Sequence, residues 1–305
     1  MMMDWDDMRV FLALARGESL GRAGQVLRLD PATVGRRITR LEDGLGRRLF
    51  TRSHQGYALT DDGARLLPHA IEAETALIAA SDAAQATGGT GLSGQIRIGA
   101  PDGCANYLLP QVVAAICAEN PALEVQIIAL PRVFNLSRRE ADMAIGVSAP
   151  EAGRLSVQKI TEYDLHLAAS KRYLAAHPPI RDLQDLRAHR VIGYIPDMIF
   201  DRELDYLAQL GLEQVALTSN SVAVQFNWVR SGAGIAVVHD FAIPAGVDIQ
   251  RVLPDTFSLS RSFFLIRHLD DRRVARLNRF AEALVRGLRQ EVARLQAQVD
   301  RAEKV

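Results

Sequence analysis

The apolar positions of the first sixty residues recur at helical spacing. They predict a helix over 4–16, a short helix that begins after Ser19, and a third helix over 31–44. Asp30 and Pro31 are preferred residues at the N-cap and the first position of a helix, so they mark the start of the third one. Three short helices with a tight turn before the third predict a helix-turn-helix unit.

The exposed side of the third helix suits the major groove of DNA. Small residues in its first turn allow close approach, and arginines one and two turns later can contact guanine edges or phosphates. The candidate DNA-contacting residues of this region are Asp30, Pro31, Ala32, Thr33, Arg36, Arg37 and Arg40. A three-helix bundle with a solvated basic face fits the same periodicity, so the pattern alone leaves both interpretations open.

A β-hairpin is predicted directly after the third helix, over residues 49–59 with a turn near Gly56. A hairpin in that position is a wing, and its side chains can reach the DNA backbone or the minor groove. The candidates for this contact are Arg52, Ser53 and His54. His54 also fits the commoner role of a plain surface residue.

A longer helix is predicted over 61–87, with Thr60 as its cap and acidic residues in its first turn, where they favour the helix dipole. Its apolar positions alternate spacings of four and three residues, which is typical of a coiled-coil seam. The seam positions are Leu66, Ala70, Ala73, Leu77, Ala80 and Ala84. We expect dimerisation through this helix, with docking on its own domain as the alternative. The Gly-rich stretch 88–94 predicts a flexible hinge.

Strands and helices alternate from residue 95 onward, which predicts an α/β domain with a mainly parallel sheet. Strands are expected over 95–99, 123–130, 141–146, 165–170, 190–194, 215–218, 235–239 and 263–266. Ligands of such domains bind beyond the carboxyl ends of strands or between subdomains. The last helix, from residue 271, is expected to pack with its first half and to extend beyond the fold after about residue 290.

Charge changes this picture only when it is taken locally. The 305 residues include 36 basic and 36 acidic ones, a formal net charge of zero that by itself argues against nucleic acid. Residues 31–52, however, contain six arginines against Glu42 and Asp43, and the following helix is acidic. The chain has no apolar run long enough to span a membrane and begins without a signal-peptide pattern, so we expect a cytoplasmic protein without membrane contact.

Residues 5–70 resemble the winged helix-turn-helix of LysR-type transcriptional regulators. The matching elements are Phe11 with Ala15, Ser19-Leu20 with Ala23, Pro31-Ala32-Thr33-Val34, Arg36 to Ile38, Leu41-Glu42, Leu45-Gly46, Leu49-Phe50, Arg52, Leu59-Thr60 and Gly63. The resemblance implies that the third helix reads operator DNA, that the linker helix forms a dimer, and that dimers assemble into a tetramer. RNA polymerase is a further candidate partner. Gly35 replaces the family's usual Ser, so Arg36 becomes the first candidate for base readout.

The rest of the chain resembles the family's effector domain. The matching elements are Ile96–Gly99, Leu109-Pro110, Pro121, Ala141-Asp142-Met143-Ala144-Ile145 and Gly232-Ala233-Gly234-Ile235-Ala236. The resemblance implies the two-lobed fold of periplasmic binding proteins. The expected boundaries are 1–60 for the DNA-binding domain, 61–87 for the linker helix, 88–94 for the hinge, and 95–305 for the effector domain, with lobe one over about 95–165 and 268–305 and lobe two over about 166–267.

An effector cleft is expected between the lobes, and its occupant is an unknown small molecule rather than a cofactor or metal. The residues that the resemblance places there are Pro101, Asp102, Gly103, Cys104, Arg132, Val133, Phe134, Gly146, Ser148, Tyr194, Pro196, Met198, Asn220, Ser221, Val222 and Gly232. Asp102 stands where the family often has Ser or Thr, and it could repel a carboxylate or bind an amine. Arg132 fits a carboxylate clamp and a solvated loop residue equally well.

Three other functions remain to be weighed. Cys104 at a pocket position would allow a thiol-based redox sensor, although a small buried thiol explains it more simply; the chain's other cysteine is Cys117. An enzyme on the same fold is disfavoured because the seven histidines are scattered and no nucleophile–His–acid set or metal-ligand cluster is evident. A transport-type binding protein is opposed by the attached winged helix.

Overall fold

The computed structural model describes residues 4–53, 56–85, 91–129, 141–150, 154–199, 201–206, 210–211 and 215–303. Their contacts divide them into two compact units: the first comprises the described residues of 4–85 and 270–276, and the second those of 91–129, 141–269 and 277–303. His54, Arg132, Val133 and Phe134 lie outside the described residues. Within these ranges, no helix is long and apolar enough to cross a membrane.

The first unit is a winged helix-turn-helix followed by a long helix. Its elements are α1 (Trp5–Gly17), α2 (Leu20–Leu27), α3 (Pro31–Leu45), β1 (Phe50–Ser53), β2 (Gly56–Leu59) and α4 (Asp61–Gln85). Asp30 caps α3, because its Oδ1 accepts from the N–H of Thr33 at 2.8 Å. Ser19 occupies the N-cap of α2 but makes no capping hydrogen bond with its side chain.

The turn between α2 and α3 depends on a close backbone approach. Arg28 adopts the left-handed conformation at the end of α2, and the Leu29 N–H donates to the carbonyl oxygen of Gly24 at 2.8 Å. A Cβ at position 24 would lie 2.4 Å from the Leu29 carbonyl oxygen, which only glycine avoids. This tight turn brings α3 against α1, with Val34, Ile38 and Leu41 in the shared core.

The linker helix α4 has two differently used halves. Ala70 and Ile71 are buried in the core of the winged-helix unit, so the first half docks on its own domain. Ala73, Leu77 and Ala80 are exposed, and Leu77 retains 47% of its surface. Ala70 therefore packs inside its own domain and not in the expected dimer seam. The exposed seam positions of the second half remain available to a partner helix. The side chain of Ala84 lies outside the described residues.

The second unit is built on one mixed sheet with helices packed around it. Its elements are β3 (Gly94–Ala100), α5 (Asp102–Tyr107), α6 (Leu109–Glu119), β4 (Leu123–Ala129), β5 (Met143–Gly146), β6 (Leu155–Ser170), α7 (Lys171–Ala175), β7 (Val191–Gly193), β8 (Leu217–Thr218), α8 (Val222–Arg230), β9 (Ile235–His239), β10 (Ile249–Val252), β11 (Ser258–His268) and α9 (Ala275–Ala302). The strand order is β4-β3-β5-β11-β6-β9-β7-β8, and β10 pairs with β6.

The prediction of a mainly parallel sheet is wrong. Of the eight pairings among the described strands of this sheet, four are parallel and four antiparallel. The parallel pairs lie at the two ends, around β3 and β7, while β6 and β11 run antiparallel through the middle. We call the half that contains β3–β5 lobe one and the half that contains β7–β9 lobe two. The sequence revealed only the apolar pieces 165–170 and 263–266 of the two long central strands.

The change from one lobe to the other occurs within these central strands. The register between β6 and β11 shifts at Phe263/Phe264, opposite Thr161 and Lys159. The expected lobe border at 165/166 falls inside β6, which is continuous over 16 residues. Two unbroken strands therefore connect the lobes.

The C-terminal helix α9 packs along its whole described length, so the expected overhang beyond residue 290 is wrong. Val292, Leu295 and Val299 are buried. The side-chain amide of Gln296 donates to Asp164 of β6 at 3.1 Å, and Arg251 of β10 donates to Asp300 near the helix end at 2.9 Å. The apolar residues of α9 continue at helical spacing past residue 290 because this part of the helix packs against β6 and lobe two.

Candidate functional site

The arginines on α3 are divided between structural and free ones. Arg40 holds both carboxylate oxygens of Asp7, with Nε donating to Oδ2 at 2.6 Å, and the Asp7 side chain is only 5% exposed. Arg37 donates to Asp6 on the same helix, α1, at 3.2 Å. These two arginines therefore fasten α3 to α1, a role that composition could not separate from DNA contact.

Arg36 differs from the other two arginines of α3. It is exposed, and within the described residues its side chain bonds to a neutral group instead of a carboxylate. Its Nη2 donates to the Thr33 hydroxyl at 3.0 Å. Pro31 and Ala32 beside it are exposed, as expected of residues that allow close approach. A Cβ on Gly35 would meet only Leu20 at 3.8 Å, so packing does not require glycine there.

Asp30 is engaged by the protein itself. The hydrogen bonds from Thr33, side chain first and backbone second, lower the pKa of Asp30. Its carboxylate is therefore ionised and caps the start of α3, next to Thr33 and Arg36.

The wing is anchored to α3 by Glu42, whose structural role the sequence pattern did not predict. Its buried Oε1 accepts from the N–H groups of Leu49 and Phe50 at 2.7 and 3.2 Å, and its Oε2 accepts from Arg48 at 2.6 Å. The hydrogen bond to Glu42 raises the pKa of Arg48. Arg52 is exposed on β1, and Ser53 ends that strand.

Two groups of the expected cleft residues, Pro101–Cys104 and Asn220–Val222, meet between the lobes. Asp102 at the start of α5 in lobe one contacts the start of α8 in lobe two. Its Oδ2 accepts from the Ser221 hydroxyl at 3.0 Å and from the Ala223 N–H at 2.9 Å. Gly103 faces Val222, whose nearest carbon would lie 3.6 Å from an added Cβ. Pro101 is the N-cap residue of α5.

A second link between the lobes lies at the crossover after β5. The Ser148 hydroxyl donates to Asp201 Oδ2 at 2.5 Å.

Tyr194 and Tyr206 pack edge to face in lobe two with ring centroids 5.8 Å apart. Burial, followed by the neighbouring Tyr206 and Asp102, raises the pKa of Tyr194 well above its usual value. The Tyr206 hydroxyl is buried and has no hydrogen-bond partner among the described residues.

Other expected cleft residues are placed differently. Gly232 lies two residues beyond the far end of α8, and the helix alone spans about 13 Å at 1.5 Å per residue. It adopts a positive φ of 71° beside Arg172, so its conformation ends α8 and brings no backbone to the Ser221 end. Pro196 and Met198 form an exposed turn, and Gly146 packs against Ile266 of β11. Asn220 is partly buried.

Cys104 is fully buried in α5, and burial raises its pKa far above the usual range of a thiol. The thiolate that redox chemistry needs is therefore strongly disfavoured.

His239 on β9 faces the same region and stacks on Tyr163 with ring centroids 5.5 Å apart. Burial lowers the pKa of His239 to about 3, so the ring is neutral at physiological pH.

A buried ionic cluster was not found by sequence reasoning. Asp240, with 1% of its side chain exposed, accepts from Arg251 Nη2 at 2.5 Å and lies 2.9 Å from His166 Nδ1. Arg251 continues to Asp300 and Glu303 of α9. This cluster ties α9 to lobe two. No group of three or more His, Cys, Asp or Glu in the described part of the chain is placed to hold a metal ion.

These two units define the class of protein: a winged helix-turn-helix and a two-lobed α/β effector domain in one chain. The chain belongs to the LysR family. Residues 5–64 match the family model of the bacterial regulatory helix-turn-helix protein, lysR family, and residues 89–289 match that of the LysR substrate binding domain. It is therefore a DNA-binding transcriptional regulator with an effector-binding domain.

Named relatives and solved structures agree with this assignment. The transcriptional regulator PtxR of Pseudomonas aeruginosa is 27% identical, with 79% of this chain and 78% of PtxR covered. DgdR of Burkholderia cepacia is 29% identical over 81% of each chain. The structure of CrgA from Neisseria meningitidis has a TM-score of 0.57 at 22% identity and covers 94% of this chain and 99% of CrgA. Regulators of this family bind DNA and form oligomers.

Proposed function

We propose that this regulator reads operator DNA through α3, with Arg36 as its principal base-contacting residue. The observation that carries this proposal is the division of the α3 arginines: Arg37 and Arg40 are paired with carboxylates of α1, whereas Arg36 is exposed beside a neutral hydroxyl. An arginine that no carboxylate holds can offer both guanidinium edges to guanine or to phosphate. Arg52 on the wing contributes a backbone contact.

The same proposal makes the second half of α4 the dimer contact. Ala73, Leu77 and Ala80 are exposed apolar residues on a helix whose first half is already docked. A single winged helix buries little surface on DNA, and two copies joined through α4 would engage paired half-sites. Further association into a tetramer belongs to the same expectation.

A small molecule in the cleft between the lobes would modulate DNA binding. Two contacts join the lobes beside this cleft: α5 meets the start of α8 through Asp102 and Ser221, and the crossover residue Ser148 meets Asp201. LysG of Corynebacterium glutamicum, a full-length structure with a TM-score of 0.63 at 20% identity, is described with bound effector Arg. A ligand that favours one arrangement of the lobes shifts the population of the whole regulator.

A thermal-shift screen of small metabolites against the full chain tests the cleft. A bound effector raises the melting temperature because it binds only the folded state. Ser148→Trp, which places a bulky ring at the lobe crossover, is expected to abolish the shift, whereas Ser231→Trp beyond the far end of α8 leaves it intact. An effector whose shift survives in the Ser148→Trp variant would place the binding site elsewhere.

A further inference from the structure

The Asp102 carboxylate lies at the N-terminal end of α8. Its Oδ2 receives two hydrogen bonds from lobe two, from Ser221 and Ala223, although Asp102 itself belongs to lobe one. Its Oδ1 receives a third, from the Asn106 side chain at 3.0 Å. The carboxylate thus bridges the lobes and is bonded at both oxygens.

The first turn of α8 has little left to offer another anion. Ser221 is the N-cap, and its hydroxyl oxygen accepts from the Val224 N–H at 3.3 Å. The Ala223 N–H is taken by Asp102 at 2.9 Å. A helix start with free N–H groups attracts carboxylates and phosphates; here the protein supplies the carboxylate itself.

Every donor to Asp102 is electrically neutral. A hydroxyl, a backbone N–H and a side-chain amide bond the carboxylate, and within the described ranges it makes no ion pair. The helix dipole of α8 offsets only part of the charge. A partly buried carboxylate that lacks a counter-cation raises the local affinity for cations and lowers it for anions.

The surroundings of Asp102 suit a cation that carries an apolar part. Asp102 acts electrostatically on Tyr194, whose ring packs on Tyr206. The Tyr206 side chain is 95% buried and its hydroxyl lacks a partner among described residues, so a ligand atom is a natural occupant of that hydrogen bond. Aromatic faces and carboxylates together form the usual environment of organic ammonium groups.

We propose that Asp102 is an internal ligand for the α8 start and that the cleft consequently selects small organic cations over organic anions. The proposal rests on the proposed function, because it assigns a ligand class to the effector cleft. The same carboxylate that repels an organic anion joins lobe one to lobe two through its bonds to Ser221 and Ala223.

Two probes of matched shape and opposite charge test this selection, phenethylammonium and phenylacetate. Isothermal titration calorimetry of the full chain is expected to give a Kd at least about tenfold lower for the ammonium than for the carboxylate. Asp102→Asn keeps the shape and an acceptor oxygen, and it is expected to abolish the preference. Asp102→Ser removes the internal carboxylate and is expected to reverse it.

One control isolates the position of the charge. Asp255→Asn makes the same change of charge at an exposed position and should retain the wild-type preference. Equal binding of the two probes by the wild type, including no binding of either, overturns the proposal. So does an unchanged preference in a folded Asp102→Asn variant.

The same titrations distinguish this inference from the proposed function. If Ser148→Trp abolishes ammonium binding while Asp102→Asn has no effect, the cleft is the site and the internal-ligand inference fails alone. If ammonium binding is unaffected by Ser148→Trp, the probe binds outside the cleft, and the proposed effector site fails together with the selection assigned to it.

Discussion

The two units use arginine for different purposes. On α3, Arg40 is 60% exposed although it holds a buried Asp7, and Arg36 is exposed with its guanidinium bonded to the neutral hydroxyl of Thr33. In the effector unit, the Arg251 side chain is 8% exposed and is surrounded by Asp240, Asp300 and Glu303. Residue type therefore does not distinguish a ligand contact from a structural tie; burial and the charge of the partner do.

Arg251→Met should show the largest effect, because it leaves Asp240 buried with His166 as its remaining ionisable neighbour. Losing one partner of a buried ion pair costs about 3–5 kcal/mol of unfolding free energy. Arg294→Met is the matched control on α9, where a 56% exposed arginine pairs with Glu291 and the expected cost is below about 1 kcal/mol.

Urea unfolding of the full chain, followed through the fluorescence of Trp228 in a Trp5→Phe background, measures both costs. Trp228 lies on α8 and therefore reports on the effector unit. Similar losses in the Arg251 and Arg294 variants would contradict the contrast between buried and exposed pairs.

His239 predicts how stability depends on pH. Burial lowers the pKa of His239 from near 6.5 to about 3. At a pH between these two values, His239 is protonated in the unfolded state and neutral in the folded state. Stability is therefore lost as the pH falls from 6.5 towards 3, by up to about 1.4 kcal/mol per pH unit. His239→Phe keeps an aromatic ring against Tyr163 and should flatten this contribution. Parallel pH profiles of the unfolding free energy for the two proteins would exclude it.

Arg40→Ala should lower the melting temperature of the DNA-binding unit by a few degrees, a smaller effect than that of Arg251→Met. The substitution leaves the buried Asp7 carboxylate without its bidentate partner. Arg36→Ala should leave the melting temperature unchanged, because among the described residues the side chain of Arg36 is exposed and bonded to the neutral hydroxyl of Thr33. Scanning calorimetry of the two variants decides the matter, and equal melting temperatures would remove the distinction between structural and free arginines.

Cys104 should show the smallest effect of all. Burial raises its pKa, whereas Cys117 is partly accessible, so iodoacetamide at neutral pH should modify Cys117 and spare Cys104. Mass spectrometry of the native protein measures both sites, with the urea-unfolded chain as the control in which both react. Rapid native modification of Cys104 would revive the redox-sensor alternative.

Local signals in the sequence predicted the first unit well. The cap and proline at Asp30-Pro31 placed the start of α3 at the residue where it begins, and the wing follows as expected. The roles of Asp7 and Glu42 were not visible, because each depends on how helices and strands pack rather than on local periodicity.

In the second unit the strands were predicted better than their directions. Parts of β6 are exposed, so the apolar pattern showed its last residues and concealed that it crosses both lobes. The family resemblance singled out Asp102 as a departure, but its partner Ser221 is 119 residues away along the chain, a separation that no spacing rule covers. The ionic cluster around Asp240 was missed for the same reason, since Arg251 and α9 reach it only through the tertiary fold.

A salt-dependent band shift on the DNA upstream of the protein's own gene tests the central claim, that Arg36 reads the operator. The wild type should bind with an affinity that falls as salt rises. Arg36→Ala should bind about tenfold or more weakly, consistent with about 1–3 kcal/mol for a base contact, while Arg294→Ala on the effector unit binds as the wild type does. Wild-type affinity of Arg36→Ala at every salt concentration would contradict the account.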